Sequence, residues 1–575
     1  MNRRLRRAEK AKNKKTSRTQ GDPTVTNPAA EGDFAEAMRL HQAGQSEQAK
    51  TYYRKVLRIQ PNHSVSLHHL GVIALQSGKS EDAVDYIRKA VRAQPIYPFA
   101  HNNLGNALRN VGRLEDAEKS YNTAISQKPD YAEAHYNRAI IKEDRADPEA
   151  AMAGYKQAIE LKPDYTDAHV KIGVLLIAQN KYEEALACFA LVLAEDPGQP
   201  AALNNQGNVF EELGRLEEAL ASYDLALKRN PNNADVLANK GNVLKDLRRI
   251  DEALEVYDRA VAAAPESAKA LYNRGLSRLM TGRLAEGWLD YQWRWQNDTL
   301  SMSRPVDDKP VWDGRDLNGK TILLYPEQGK GDAVQFARYI ALIAERGGRA
   351  VLWSSGAVLR LLSSVPGAAT VCETLEEAGD YDCHASLMDL PGLFETTLET
   401  IPKTVPYISV DKDLIETWSE RLGHKKDFRV GLVWAGNPEH KNDHNRSIDL
   451  ELFRPLAKIK NISLYSLQVG RAEDVVGVLG EGVTELKTHL TDFAETAAAI
   501  ECLDLVISVD TAVAHVAGAL GKPVWVLLPH VPDWRWLLDR DDSPWYPTLR
   551  LFRQGQPGDW AGVVENVMNE LRLVA

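Results

Sequence analysis

The chain has 575 residues, of which 44 % are hydrophobic and 26 % charged, a composition typical of soluble globular proteins. This length exceeds what one hydrophobic core usually holds, so two or three domains are expected. The formal net charge of -10 argues against general nucleic-acid binding, and no stretch approaches the run of about 18 apolar residues that a membrane span needs.

The amino-terminal segment is strongly basic. Its first 20 residues, MNRRLRRAEKAKNKKTSRTQ, contain nine Lys and Arg against one Glu. The segment has no apolar stretch of the kind found in signal peptides. Residues 1–29 are therefore expected to form a disordered, solubilising tail, with contact to an acidic partner or surface as the alternative.

Prolines then recur every 34 residues, the period of tetratricopeptide repeats. They are Pro61, Pro95, Pro129, Pro163, Pro197, Pro231 and Pro265. When units are counted from residue 30, the eighth and twentieth positions are small and the twenty-fourth is usually aromatic. One helical hairpin cannot bury both of its apolar faces. We therefore expect an α-solenoid, a tetratricopeptide superhelix over residues 30–296, with seven full units and one partial unit.

Asparagine recurs at the sixth position of these units, about 150° away from the core positions on a helical wheel. The row consists of Asn103, Asn137, Asn205, Asn239 and Asn273, and a partial second row at the ninth position of Asn106, Asn208 and Asn242. A ladder of amides can bind an extended peptide backbone without recognising its sequence. This favours a docking groove for a protein, and the alternative is that asparagine is simply tolerated on an exposed helix face.

The repeat pattern ends with GWLDYQWRWQ at residues 287–296, and residues 297–310 are expected to form a linker. From residue 311, short β-rich segments alternate with helical ones. The strand TILLYP, the loop EQGKGD and an amphipathic helix start a Rossmann-like unit over residues 311–427. A second such unit, over residues 428–575, includes FRVGLVWAG, LDLVISVD, TAVAHVAGAL and KPVWVLLP. Two Rossmann-like units facing a cleft form the GT-B architecture.

The segments GKGDAVQF and VISVDTAVAHVAGALGKPVWVLL resemble the two signature regions of ADP-heptose heptosyltransferases, and the likeness covers about residues 309–575. The repeats resemble the arrays fused to protein O-glycosyltransferases of the O-GlcNAc transferase kind, which carry an Asn ladder. With WRW and PDWRWLLDRDDSPWYPTLRLFRQ, the whole chain resembles bacterial tetratricopeptide glycosyltransferases, some of which modify flagellin. The resemblance implies inverting, metal-independent transfer from a nucleotide-sugar, with no cofactor.

Asp332 is the first catalytic candidate. In GKGD it matches the aspartate that serves as general base in the heptosyltransferases, and an inverting transfer needs a base for the attacking hydroxyl. On local sequence alone, an aspartate that begins a helix is more often its N-cap. Both interpretations stay open at this stage.

The segment DTAVAH is the main candidate for binding the donor. Asp510 ends a buried strand and Thr511 opens a helix, whose free NH groups and dipole can hold a diphosphate. We expect Thr511, Ala512 and His515 to line that site. The alternative for His515 is a core histidine.

The loop NPEHKNDHNRS follows the first strand of the second unit, where a parallel sheet opens its ligand crevice. Asn437, Lys441 and Arg446 are its candidates, and Arg446 stands where the resemblance places a phosphate-binding lysine, although Lys441 is an alternative. The loop could equally be a solvated turn. Gln468, after SLYSL, is a further candidate for contact with the nucleotide.

An aromatic segment, PHVPDWRWLLDRDDSPWYP, lies near the end of the chain. Its Trp534, Trp536, Trp545 and Tyr546 surround Arg535. They suit either a rim that stacks against the base or sugar, or a core that closes the domain. No acidic pair in the chain has the context of a metal site.

The leading hypothesis is a cytoplasmic protein O-glycosyltransferase. The four cysteines lack CxxC or Cys/His spacing, which suits a reducing compartment. A protein acceptor, with flagellin as our candidate, docks on the concave face of the repeats, and the GT-B cleft transfers the sugar. The rival hypotheses are a scaffold or adaptor that has lost catalysis, and an enzyme that acts on a glycan or lipid.

Overall fold

The computed structural model describes residues 28–297, 300, 304, 309–327, 329–440, 442–471 and 473–575. Most of the predicted tail and linker therefore lies outside the described residues. By spatial proximity the chain divides into one compact unit that ends at Arg229 and a second, Asn230–Ala575.

The repeats form pairs of helices, as the 34-residue period predicts. Within the described residues before the linker, sixteen helices form eight hairpins, six in the first compact unit and two in the second. They are α1 (Pro28–Gln42), α2 (Ser46–Ile59), α3 (Ser64–Gln76), α4 (Ser80–Ala93), α5 (Pro98–Asn110), α6 (Leu114–Gln127), α7 (Ala132–Asp144), α8 (Pro148–Leu161), α9 (Thr166–Ala178), α10 (Tyr182–Glu195), α11 (Pro200–Glu212), α12 (Leu216–Arg229), α13 (Ala234–Asp246), α14 (Ile250–Ala263), α15 (Ala268–Met280) and α16 (Leu284–Tyr291). The predicted α-solenoid is confirmed.

The second row of asparagines has a structural explanation. The tyrosine at the twenty-fourth position is fully buried in its hairpin, and a buried hydroxyl needs a partner. The ninth-position asparagine of the same unit accepts its hydrogen bond, at 2.7 Å for Tyr121 and Asn106, 2.8 Å for Tyr223 and Asn208 and 2.6 Å for Tyr257 and Asn242. These amides therefore support the fold of each hairpin.

Two parallel sheets follow the repeats. The first has the order β3-β2-β1-β4 and the second β10-β9-β8-β5-β6-β7, and every pairing in them is parallel. The strands are β1 (Thr321–Tyr325), β2 (Arg349–Trp353), β3 (Ala368–Cys372), β4 (Cys383–Ser386), β5 (Phe428–Val433), β6 (Ile462–Ser466), β7 (Val483–Glu485), β8 (Leu505–Val509), β9 (Val524–Leu528) and β10 (Leu549–Arg553). The central strands β8 and β9 are buried along their whole length, as expected when helices cover both faces of a parallel sheet.

Helices connect these strands, which confirms the predicted α/β region with its two sheets. They are α17 (Lys330–Phe336), α18 (Ile340–Glu345), α19 (Gly356–Leu362), α20 (Leu375–Ala378), α21 (Leu390–Leu393), α22 (Lys412–Leu422), α23 (Asp443–Arg446), α24 (Val475–Leu479), α25 (Phe493–Glu501), α26 (Ala512–Ala519) and α27 (Trp560–Val574). In the described parts of the chain, we find no helix with both the length and the apolar character needed to cross a bilayer.

The second sheet contains a topological switch point. Strand β5 pairs with β6 on one side and with β8 on the other, so the connections after β5 and β8 leave in different directions. Parallel sheets bind ligands outside the carboxyl ends of such strands. The loop after β5 and the start of α26 after β8 both lie there.

The last two repeat hairpins share their core with the α/β region. Leu279, Trp288 and Tyr291 belong to one hydrophobic cluster with Phe336 and Trp534. The indole NH of Trp288 also donates to the carbonyl of Thr396 at 3.0 Å. The end of the array is therefore part of the compact unit that carries both sheets.

Candidate functional site

The glycine loop after β1 places Asp332 in the first turn of α17. Gly329 is the N-cap residue of this helix, and its amide donates to Asp332 Oδ2 at 2.8 Å. The N-cap position therefore belongs to Gly329, not to Asp332 as the local sequence suggests, and the Asp332 carboxylate binds back to the N-cap amide from the third helical position. The bond uses one carboxylate oxygen only, so capping does not exclude a chemical role.

The other oxygen of Asp332 faces an arginine that is 203 residues away in sequence. Arg535 Nη2 donates to Asp332 Oδ1, and the two side chains are only 8 % and 14 % exposed. Arg535 also donates to Asp533 Oδ1 from Nη1 at 2.8 Å and to Gln335 Oε1 from Nε at 3.0 Å. Although burial opposes its charge, Asp332 and Asp533 raise the pKa of Arg535, so it is a permanent cation.

Asp510 directly follows β8 and lies beside this network. Burial, together with the negative charge of Asp533, raises the pKa of the Asp510 carboxyl to about 6, against the opposing effect of Arg535 and Arg446. This carboxyl therefore changes its charge close to neutral pH. Arg446 Nη1 donates to the backbone carbonyl of Asp510 at 3.3 Å.

The start of α26 lies directly against the glycine loop. Thr511 is the N-cap residue of this eight-residue helix and makes no side-chain cap bond, because its hydroxyl bonds to Ser508 Oγ at 3.0 Å. A Cβ built on Gly331 would lie 2.8 Å from Cδ2 of the His515 ring and 3.3 Å from the Cα of Ala512. Only glycine permits this approach, which brings Asp332 next to the helix end of the second sheet.

His515 is a core residue at this contact. It is 4 % exposed, its Nδ1 lies 3.0 Å from the Tyr546 hydroxyl, and its ring stacks on Trp536 at 5.3 Å. Burial, with the charges of Arg535 and Arg338, lowers the pKa of His515 well below its ordinary value. The imidazole is neutral and offers no positive charge to a diphosphate.

The loop after β5 is organised around Asp443. Its Oδ1 accepts from Arg446 Nε at 3.4 Å and from Ser447 Oγ at 2.9 Å, and its Oδ2 accepts from Arg471 Nη2. A Cβ on Gly436 would lie 2.5 Å from Asp443 Oδ1 and 2.6 Å from Arg446 Nε, so this cluster requires glycine there. Two arginines therefore converge at the switch point.

The same loop also approaches Asp332. His440 is exposed, and partial burial followed by the charge of Arg446 lowers the pKa of its imidazole. The carboxylates of Asp443, Asp533 and Asp332 act against that shift, so they lie within electrostatic range of His440. The loop after β5 therefore lies within electrostatic range of the glycine loop after β1.

Three further loop candidates have different positions. Asn437 is exposed and its Oδ1 accepts from the amide of Glu439 at 3.2 Å. Gln468 is 6 % exposed and its amide bonds to the backbone of Trp434, Ala435 and Val469, which leaves it a supporting role behind the loop. Lys441 lies outside the described residues.

The aromatic segment is core. Trp534, Trp536, Trp545 and Tyr546 are each at most 4 % exposed and belong to the cluster that joins the repeats to the sheets. Of the two sequence interpretations, the domain-closing core is the one that this burial supports.

The sixth-position asparagines partly bond to the preceding repeat. Asn103 Nδ2 lies 2.9 Å from His68 Nε2, and Asn137 donates to Asn102 Oδ1 at 3.0 Å. The corresponding residues on α11, α13 and α15 are Asn205, Asn239 and Asn273. Some of these amides therefore join neighbouring hairpins, which sequence analysis did not predict.

Four charged residues near these loops were not predicted from the sequence. Three are Asp443, Arg471 and Asp533, and the fourth is Arg535, which was not predicted to pair with Asp332. Arg471 follows β6, the strand beside β5, and a basic residue at that strand end was an available signal. Asp533 and Arg535 gave no such signal, because the aromatic residues around them suggested core or a stacking rim.

Comparisons with known proteins match both parts of the chain. Residues 34–98, 170–234 and 239–291 match a tetratricopeptide repeat family, and residues 470–528 match glycosyltransferase family 9 (heptosyltransferase). Protein FlbA of Caulobacter vibrioides is 28 % identical over 325 residues, which cover 51 % of this chain and 53 % of FlbA. The chain thus spans about half the length of this curated relative.

Two solved structures are similar to part of the chain. Pseudomonas aeruginosa pilF is 19 % identical with a TM-score of 0.33, over 36 % of this chain and 93 % of its own. A tetratricopeptide repeat protein from Parabacteroides merdae is 16 % identical with a TM-score of 0.37, over 44 % of this chain and 99 % of its own. The chain therefore combines tetratricopeptide repeats in its first half with a match to glycosyltransferase family 9 in the region of its second sheet.

Proposed function

We propose that the protein transfers a sugar from a nucleotide-sugar to a serine or threonine hydroxyl of a protein acceptor. One observation supports this most directly. The glycine loop that carries Asp332 packs on the start of α26 at the switch point, with the hypothetical Gly331 Cβ 3.3 Å from Ala512. A carboxylate and an anion-binding helix end therefore border the same crevice, as an inverting transfer requires.

In the proposed reaction the donor diphosphate binds the free NH groups at Thr511 and Ala512. The acceptor oxygen bonds to the anomeric carbon while the bond from that carbon to the diphosphate oxygen breaks. Asp332 takes the hydroxyl proton, and the charge that develops on the leaving nucleoside diphosphate is stabilised by the helix end and Arg446. Arg446 and the α26 dipole supply positive charge, so the scheme does not depend on a metal ion.

The repeats argue for a protein acceptor. Tetratricopeptide arrays bind proteins, and the sixth-position row, although Asn103 and Asn137 also bond to the preceding repeat, offers amide donors and acceptors to an extended backbone. Flagellin is our candidate, on the strength of the sequence resemblance described above, and it would be modified in the cytoplasm before export.

The direct test combines the full chain, flagellin and a panel of UDP-, ADP-, GDP- and CMP-sugars. We expect one donor to give a discrete mass increase of flagellin with release of nucleotide, and no increase on an unrelated protein of similar serine and threonine content. A ligand at 100 times its Kd stabilises the folded protein by about 2.7 kcal/mol, so a donor that binds should raise the melting temperature. If no donor does so, the scaffold hypothesis is favoured. Transfer to a glycan or lipid but to no protein would favour the other rival.

Donor binding should tighten as the pH falls through about 6. Protonation of Asp510 removes a negative charge beside the diphosphate site. The binding free energy of the donor should improve on the order of 1 kcal/mol, which is about a three- to tenfold decrease in Kd. Calorimetry with the nucleotide-sugar on either side of that pH measures the change, because the two phosphates of such a donor do not titrate near neutrality. Asp510→Asn should bind tightly at both pH values. Because His440 also titrates in acid, a pH dependence as large in this variant as in the wild type is the result that would contradict the assignment.

The two asparagine rows should behave differently. Asn205→Ala removes an amide of the proposed groove from α11. The KM for the acceptor should rise about two- to tenfold, because one hydrogen bond to the acceptor is lost, and the KM for the donor should stay unchanged. Asn208→Ala, three residues further on the same helix, removes the 2.8 Å partner of the buried Tyr223 hydroxyl, which then relies on its 3.1 Å bond to Glu211. This control should lower the melting temperature by a few degrees without changing acceptor KM. Equal KM values for Asn205→Ala and wild type would remove the groove role.

A further inference from the structure

The Asp332 carboxylate is held from two sides. The Gly329 amide binds Oδ2 within the loop, and Arg535 binds Oδ1 from the segment after β9. Two contacts on different oxygens fix the rotation of the carboxylate, whereas the loop contact alone leaves it free to turn. The orientation of the proposed base therefore depends on the distant segment.

Arg535 is itself held rigidly. Asp533 and Gln335 occupy its Nη1 and Nε, and its guanidinium stacks 4.5 Å above the Trp534 ring. Gln335 lies one turn after Asp332 on α17, so Arg535 binds two side chains of this helix. The planar guanidinium fits this arrangement of donors, which a lysine reproduces only in part.

The last repeat hairpin supports the same arginine. Trp534 packs edge-on against Trp288 of α16 at 5.3 Å and lies 6.2 Å from Tyr291. These rings belong to the core that joins α16 to the sheets. The position of Arg535 is thus set by packing rather than by solvent-exposed contacts.

We propose that Arg535 is a positioning residue, which holds the Asp332 carboxylate in the orientation from which it accepts the hydroxyl proton. This role rests on the proposed function. Arg535→Gln should lower kcat about 10- to 100-fold, since a displacement of about 1 Å costs on that order, while donor KM stays within about twofold. Arg535→Lys should recover part of the loss.

A double-mutant cycle separates positioning from general stabilisation of the fold. Because Arg535 acts through Asp332, Arg535→Gln should change kcat little once Asp332 is asparagine. Arg338 is the matched control, a buried arginine whose Nη1 donates to the carbonyls of Pro402 and Trp545. Arg338→Gln should lower kcat by the same factor in both backgrounds.

The outcomes distinguish the two proposals. If Arg535→Gln reduces kcat equally with and without the Asp332 carboxylate, or leaves kcat unchanged in a wild-type background that transfers sugar, Arg535 has no positioning role. If the wild-type protein transfers no sugar, the proposed function fails together with the role of Arg535. If Arg535→Gln does not fold, Arg535→Lys carries the same cycle.

Discussion

Replacing Asp332 by asparagine is expected to lower kcat for sugar transfer by about 10²- to 10⁴-fold, the usual contribution of a general base. Asparagine keeps a side-chain oxygen that can accept from the Gly329 amide or from Arg535, so most of the loop geometry should persist. What disappears is the capacity to take the hydroxyl proton. Donor affinity should therefore stay within about twofold of the wild-type value.

Steady-state transfer and calorimetric donor binding measure the two quantities. Asp559→Asn is the matched control, because Asp559 caps α27 and accepts from the amide of Gly562 at 2.9 Å, three residues on, far from either motif in sequence. Its kcat should equal that of the wild type. If the kcat of Asp332→Asn equals that of the wild type, another group takes the proton. Asp510 is then the next carboxylate to test.

Arg294→Leu should have the largest effect on stability. Arg294, from the WRW segment, is 1 % exposed and binds both oxygens of Glu327, at 2.8 and 2.6 Å, and Asp389. Removing one partner of a buried ion pair costs about 3–5 kcal/mol, because the other charges stay buried without compensation. The melting temperature should fall on the order of 5 to 10 °C.

This deficit should shrink in acid. Burial raises the pKa of Glu327 even though Arg294 opposes the shift, and without Arg294 the pKa should rise further. The folded state then binds a proton that the unfolded state releases, so stability is retained at low pH and lost as pH rises through the folded-state pKa. The melting temperatures of variant and wild type should differ less at about pH 5 than at about pH 8.

Arg454→Leu provides the control, since Arg454 forms an exposed pair with Glu451 on one helical turn. Pairs of this kind contribute little, and the melting temperature should stay within about 2 °C of the wild type. A deficit in Arg294→Leu that is the same at both pH values would mean that Glu327 is not the charge left uncompensated.

Individual residues show where sequence reasoning succeeded. The small and aromatic positions of the repeats correspond to close contacts inside a hairpin, such as Gly207 against Tyr223, where an added Cβ would lie 2.4 Å from the ring, because both residues lie in one repeat. Asp332 and Thr511 were predicted from a local pattern, because each lies after a strand and near the start of a helix, and their functional roles stay predictions. Arg535 was seen only as part of an aromatic segment, and its pairing with Asp332 across 203 residues has no local sign.

The same limit applies to roles. His515 was predicted to line the diphosphate site, with a core histidine as the alternative, and its contacts with Trp536 and Tyr546 favour the core. For Gln468, contacts with the backbone of three residues decided against free access to a ligand. Both decisions depend on which segments pack over the side chain.

By itself, the sequence determined the repeat period, the paired helices and the two α/β units, since these follow from local periodicity and from turn and capping residues. Only the tertiary structure decided which charged groups meet. It brought Arg535 to Asp332, Arg471 to Asp443 and Arg294 to Glu327, and it placed the last repeat hairpin in the core of the α/β region. Such pairs form between segments far apart in the chain, and their burial and charge balance are set by packing, which no local pattern records.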